Sequence, residues 1–207
     1  MSKLHWFGTS AFLYRGSQNI YFDPITLAGE LPPADIILIT HAHSDHWSVP
    51  DIKKIIGPNT VLVISPNVNA AYEASKDALG IPATVLKEGE TTEVRGVSIQ
   101  AVPAYDTGAH PRENGGAGYI VAVDGVRIYH AGGTAAYPEM AQYHCDVALI
   151  PVYGMAATNE MVKVIPAKVF ILEHTSIYAV QALITAFTKD FGGQKTFAIL
   201  QPGPNGP

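Results

Sequence analysis

The chain has 207 residues, 47% of them hydrophobic and 15% charged, with one cysteine and a formal net charge of −5. That is enough apolar mass to bury a substantial core in one domain over residues 1–200. A lone cysteine excludes an internal disulfide, and the acidic balance argues against a nucleic-acid partner. The longest apolar runs fall far short of a bilayer span and no leader pattern precedes Leu4, so the expectation is a cytoplasmic protein without a membrane partner.

In chain order, Leu4 to Phe7 and Ala11 to Tyr14 read as short strands joined at Gly8-Thr9-Ser10. A third, Asn19 to Phe22, ends in the turn signal Asp23-Pro24. Ile36 to Ile39 is a continuous apolar run of the kind that forms a buried strand. It opens directly into Thr40-His41-Ala42-His43-Ser44-Asp45-His46. Val49 to Ile56 reads as a helix closed by Gly57-Pro58, Val61 to Ile64 as a strand, and Asn67 to Leu79 as a helix stopped by Gly80. A strand series follows at Val85 to Leu86, Thr91 to Val94 and Val97 to Pro103, ending in Ala104-Tyr105-Asp106-Thr107-Gly108-Ala109-His110.

The second half repeats this rhythm. Tyr119 to Val123 and Val126 to Tyr129 flank Asp124-Gly125, a hairpin turn pair. That hairpin runs into His130-Ala131-Gly132-Gly133-Thr134. Val147 to Val152 is a buried strand, with Cys145 beside it as a small core residue. Glu160 to Val164 belongs to a short helix, and Val169 to Leu172 is a core strand ending in Glu173-His174. Tyr178 to Phe191 is the last long helix, with Ala179, Leu183, Ala186 and Phe187 on one face. Phe197 to Leu200 closes the fold, and the Pro/Gly-rich Gln201 to Pro207 is expected to be disordered.

Alternating strands and helices indicate an α/β layer arrangement. Four of the strand ends carry polar clusters: 41–46, 106–110, 130–134 and 174. Two packed sheets can gather such ends along one edge. Imidazole and carboxylate at this density suit zinc, with manganese or iron as alternatives. The plainer reading of 41–46, a polar connection in which Asp45 or Ser48 caps a helix, needs one polar group and not four.

His41-Ala42-His43-Ser44-Asp45-His46 resembles the HxHxDH signature of the metallo-β-lactamase superfamily. The likeness runs over nearly the whole chain, and the branch it is most similar to is that of small metal-dependent hydrolases resembling ascorbate-6-phosphate lactonase. The resemblance implies an αββα four-layer sandwich with one or two metal ions at the strand ends. It implies His41 and His43 as ligands of a first metal, and Asp45, His46 and His174 as ligands of a second. The family's third ligand of the first metal is a His in a Pro-Ala-x-His stretch. Here Pro103-Ala104-Tyr105-Asp106 puts Asp106 at that place, with His110 either a substitute or a loop residue. His130 is expected to orient its loop by a hydrogen bond, and Glu173 to steer a ligand imidazole.

Three positions depart from the family pattern. Thr9 stands where a His is usual, Asp106 where the ligand His is usual, and Gly133 where an Asp bridges the two metals. Asp23 matches a family Asp whose role is structural. Without a carboxylate at 133, two close cations repel with less compensation, so a single metal or a weak second one is expected.

The resulting expectation is metal-assisted hydrolysis of a small carbonyl (lactone-like) or phosphoester substrate, with Asp45 as general base. Arg112 and Lys163 are candidates to meet an anionic group, Tyr105 and Tyr153 to line the pocket, and assembly with identical chains is compatible with the branch. The rival is a metal-binding or ligand-sensing module without turnover. Gly133→Asp distinguishes them if the site is merely one ligand short, because hydrolysis then rises and a second metal binds.

Overall fold

A computed structural model describes residues 3–200, and the stretch expected to be disordered, 201–207, lies outside the described residues. The first half builds a six-stranded sheet from β1 (Leu4–Gly8), β2 (Ala11–Arg15), β3 (Asn19–Phe22), β4 (Ala34–Ile39), β5 (Ile56–Ile64) and β6 (Ala83–Val85), adjacent in that order. On it lie α1 (Val49–Ile55), α2 (Asn69–Glu73) and α3 (Lys76–Leu79). The second half builds a seven-stranded sheet from β7 (Thr91–Val94), β8 (Val97–Pro103), β9 (Ala117–Val123), β10 (Val126–His130), β11 (Cys145–Pro151), β12 (Ala167–Glu173) and β13 (Thr196–Phe197). It carries α4 (Met155–Val164) and α5 (Ile177–Asp190).

Each sheet begins as an antiparallel meander and ends as parallel strands. In the first, β3, β4, β5 and β6 run parallel. In the second, β10, β11, β12 and β13 do so. Because β1, β3, β4, β8, β10 and β12 run the same way within their sheets, their C-terminal ends share one edge of each sheet.

Period-two alternation decides which residues fill which layer. Along β4, Ile36 and Leu38 enter the inter-sheet core with Trp6, Phe12 and Phe22. Ile37 and Ile39 point to the other face, against Ile52 and Ile55 of α1 and Leu79 of α3. The far face of the second sheet is covered by Met161, Val162, Val180, Ile184 and Phe187 from α4 and α5. Helix, sheet, sheet, helix is the αββα sandwich. Cys145 is buried at the start of β11, as a small core residue.

Local structure differs from expectation at three places. Gly57-Pro58 does not close a helix but lies inside β5, which starts at Ile56. The Thr60 hydroxyl accepts from Gly57 N at 2.8 Å and donates to Ala34 O at 2.6 Å, bridging the register shift between Ala34 and Ile36. The single helix read over 67–79 is a 3-10 turn followed by two short helices broken at Ala74-Ser75. No residue of α2 is buried, so packing supplies little to hold one continuous rod. The buried face of α5 centres on Val180, Ile184 and Phe187, with Ala179, Leu183 and Ala186 at its margins. The Asp124-Gly125 turn is as read: both residues have positive φ, 50° and 76°, which the twist of a two-residue hairpin requires.

Candidate metal centre

The shared strand edge collects two groups of ligand-type atoms. The first comprises His41, His43 and His110, and the second Asp45, His46 and His174. Within each, the donor atoms lie within 4.8 Å of one another. His41 to His46 follow β4, His110 sits in the connection after β8, and His174 follows β12.

The imidazoles are aimed by what holds their other nitrogen. Asp23, fully buried at the end of β3, is the hub. Its Oδ1 accepts from Thr40 N at 2.8 Å, and its Oδ2 accepts from the Thr40 hydroxyl at 2.7 Å. The same Oδ2 lies 2.7 Å from His46 Nδ1 and 2.9 Å from His130 Nε2. The Thr40 hydroxyl, having donated to Asp23, can accept from His41 Nδ1 at 3.0 Å. Asp106 Oδ2 takes His110 Nδ1 at 2.7 Å. With Nδ1 tethered in His41, His46 and His110, each ring turns its Nε2 away from its tether.

Those Nε2 atoms converge. His41 Nε2 and His110 Nε2 are 3.3 Å apart, and His46 Nε2 and His174 Nε2 are 3.0 Å apart. Two nitrogens each at about 2.0–2.1 Å from one tetrahedral cation stand at about that separation. Asp45 Oδ2 completes the second group at 3.8 Å from His46 Nε2 and 3.7 Å from His174 Nε2. The donor set therefore fits a divalent cation of the zinc type.

Electrostatics agree with that fit. Burial would raise the Asp23 carboxyl, but the charge and hydrogen bonds of His46 and His130 outweigh it and hold the group well below the usual carboxylate range. Burial, with neighbouring His46, pushes His41 down to about 2 and His174 down to about 4, so both are neutral donors at pH 7. His43 is lowered by burial and by His110. Burial raises Glu173 well above the ordinary range. Neither Glu173 oxygen nor the Nδ1 of His130 or His174 has a hydrogen-bond partner among the described residues. Glu173 lies 3.4 Å from His130 Nδ1 and 3.9 Å from His174 Nδ1. These orphaned atoms lie together behind the second group, between His130 and His174.

Strain marks the same edge. Thr9, Asp23 and His174 adopt left-handed backbone at φ of 43°, 42° and 52°, which costs a non-glycine residue free energy and persists where surrounding contacts impose it. His174 N donates to Thr9 O at 3.1 Å, and the Ser10 hydroxyl donates to Asp45 O at 3.0 Å. The turn after β1 thus anchors the second group through the Thr9 carbonyl and the Ser10 hydroxyl, even with Thr9 in place of His.

Of the residues singled out in the sequence, His41, His43, Asp45, His46 and His174 come together in the two groups. Asp106 does not join them: its carboxylate holds His110, and His110 stands where Asp106 was expected. The connection folds this way because Asp106 Oδ1 accepts from Gly108 N at 2.6 Å and His110 N at 3.0 Å, turning the chain back. His130 reaches Asp23 and faces Glu173, buried behind the second group. Arg112 pairs with Glu88 and lies over the Tyr105 ring, and Lys163 pairs with Glu160, so both cations have partners outside the site. Sequence reasoning missed Thr40, and it gave Asp23 too small a part. The signal available was a polar residue at the end of each of two adjacent strands.

A small cavity opens beside the first group, lined by His41, His43, Asn67, His110, Asn114 and Gly133. Tyr153, 40% exposed after β11, packs its ring 6.3 Å from His110 and 5.5 Å from His174, spanning both groups.

Comparison with known proteins agrees with the fold. Residues 3–173 match the model of the Beta-lactamase superfamily domain. A UPF0173 metal-dependent hydrolase of Thermococcus kodakarensis is 33% identical, with 98% of each chain covered. Another, of Methanoculleus marisnigri, is 36% identical over 73% of this chain and 69% of its own. A solved structure from Parabacteroides distasonis superposes with a TM-score of 0.77 at 29% identity, covering 96% of this chain and 93% of that one. Family model, full-length relatives and superposed structure concur, and the chain belongs to the UPF0173 metal-dependent hydrolases of the metallo-β-lactamase superfamily.

Proposed function

We propose that the protein hydrolyses a small carbonyl substrate of the lactone type, or a small phosphoester, with zinc as its cation. The observation that carries this reading is the convergence of tethered imidazoles: three Nδ1 atoms are held by Asp23, Thr40 and Asp106, leaving Nε2 atoms facing one another. His41, His43 and His110 would hold one cation, and Asp45, His46 and His174 a second. When bound, such a cation supplies Lewis acidity and brings a coordinated water's pKa to about 7.

The chain's own residues do the rest. Asp45, its side chain about half exposed, faces the mouth of the site and takes a proton from the attacking water as general base. Asn67 fixes the cavity wall, accepting from Ala42 N at 2.7 Å and donating to Asn114 O at 3.1 Å. Burial lifts the Tyr153 phenol above its ordinary range, so it remains a proton donor at neutral pH and can steady a developing oxyanion.

The test has two parts. Metal content is measured on purified protein before and after zinc is added, and hydrolysis is followed with an aliphatic lactone, p-nitrophenyl acetate and bis-p-nitrophenyl phosphate. Turnover that a chelator abolishes, zinc restores and Asp45→Asn lowers at least about 100-fold supports the proposal. Stoichiometric zinc with no turnover on any probe makes the protein a metal-binding or ligand-sensing module instead.

A further inference from the structure

A Cβ built on Gly133 would lie 2.5 Å from His110 Nε2, 2.6 Å from its Cδ2 and 2.9 Å from its Cε1. These distances are closer than real Cβ contacts, so the imidazole occupies the space that a side chain at 133 needs. The backbone does not explain the glycine, because Gly133 lies outside the left-handed region. Its neighbour Gly132 differs in having left-handed backbone, φ of 65°, as well as a Cβ that would press Thr40 Cβ at 2.9 Å. Gly132 is glycine for conformation and for space. Gly133 is glycine for space.

His110 cannot retreat without loss. Its Nδ1 is held by Asp106 Oδ2 at 2.7 Å, its backbone N by Asp106 Oδ1 at 3.0 Å, and its ring packs against Tyr153 on one side and His41 and His43 on the other. Moving the ring tip clear of a new side chain moves Nε2 away from His41 Nε2.

The geometry points to an exclusive pair: the 104–116 connection can supply His110 to the first donor group only because residue 133 has no side chain. A carboxylate introduced at 133 therefore does not add a ligand to the existing set. It displaces one, and Gly133→Asp alone is expected to weaken cation binding at His41, His43 and His110. This inference rests on those three residues forming a cation site.

The experiment is a competition titration of Co(II) against a chromophoric chelator, with the Co(II) absorption spectrum recorded. It is run on the full chain carrying His174→Ala so that one donor group remains. Gly133→Ala and His110→Ala are each expected to lower affinity about 10–100-fold. The double variant His110→Ala/Gly133→Ala is expected to be no weaker than His110→Ala, since the methyl group then meets nothing. His110→Gly/Gly133→Asp is expected to bind more tightly than Gly133→Asp. Should Gly133→Ala fold poorly while the double variant folds normally, the collision with His110 is the defect and the inference stands. It is overturned if Gly133→Ala binds within about twofold of the parent, if the two alanine effects multiply, or if both variants fail to fold. His41→Ala/His43→Ala separates the two levels: unchanged Co(II) binding there removes the cation site itself, whereas loss of binding there with a normal Gly133→Ala removes only the pairing.

Discussion

The two donor groups lie side by side but are built on different foundations. Asp45, His46 and His174 stand on buried carboxylates: Asp23 grips His46, and Glu173 lies beside His174. Both carboxylates are fully inaccessible to solvent. His41, His43 and His110 are three imidazoles, steadied by the Thr40 hydroxyl and by the partly exposed Asp106 in a connection between strands. A cation in the second group would meet the Asp45 carboxylate and, behind His46, the buried Asp23 carboxylate in low dielectric, where attraction is strong. In the first it would meet imidazoles alone, with no carboxylate among the donors. The second group is thus expected to hold its ion more tightly, and the first to exchange it and keep positions open to ligands.

The severest way to break this contrast is to remove its hub. Asp23→Ala leaves Thr40, His46 and His130 without their shared acceptor in a fully buried setting. The unfolding free energy of the metal-free protein in urea is expected to fall by about 3–5 kcal/mol. A loss below about 1 kcal/mol would show that the network is not held through Asp23.

Acid probes both groups at once. His41 is pushed down to about 2 and His174 to about 4, so the folded protein refuses protons that the unfolded chain accepts near the usual 6.5. The sign follows: stability of the metal-free protein is full above about pH 6.5 and declines as pH falls, through the window from 6.5 to about 4 for His174 and on to about 2 for His41. Each excluded proton contributes roughly 1.4 kcal/mol per pH unit. Asp23, held low, loses its contribution in the same direction at more acidic pH. Chemical denaturation at pH 7, 6 and 5 checks this, and equal stability at all three would contradict the buried, neutral state of both histidines.

Asp106→Asn separates the groups. The amide keeps an acceptor for the turn but loses the charge facing His110 Nδ1. Affinity for one cation is expected to drop about 10–100-fold while the other is unchanged. An equal loss at both would mean the groups act as one.

Much of this was legible in the chain. The ligand cluster after β4 could be read because its members are adjacent, and His174 because it ends an apolar run. The choice between Asp106 and His110 could not be read from spacing. It is made by a turn in which Asp106 accepts from Gly108 N and His110 N, which swings His110 toward β4. The polar ends of β3 and β4 hinted at a role for Asp23, but not at its reach, which depends on β3, β4 and β10 bringing Thr40, His46 and His130 to one carboxylate from across two sheets. The Gly133–His110 contact joins residues whose proximity only the packed sheets create.

The smallest expected effect tests the Tyr153 ring, packed against both groups. Tyr153→Phe keeps the ring against His110 and His174 and removes only the hydroxyl, so cation content and stability should match the parent. If that phenol donates to the substrate, kcat/KM falls by about 3–10-fold, the worth of one hydrogen bond of about 0.5–1.5 kcal/mol. Tyr153→Ala removes the packing as well, and should loosen the cation bound by His110 more than the one backed by Asp23 and Glu173, because His110 sits on a connection and His174 follows a core strand. Wild-type kinetics for the phenylalanine variant combined with cation loss for the alanine variant would make Tyr153 a brace between the two groups and nothing more.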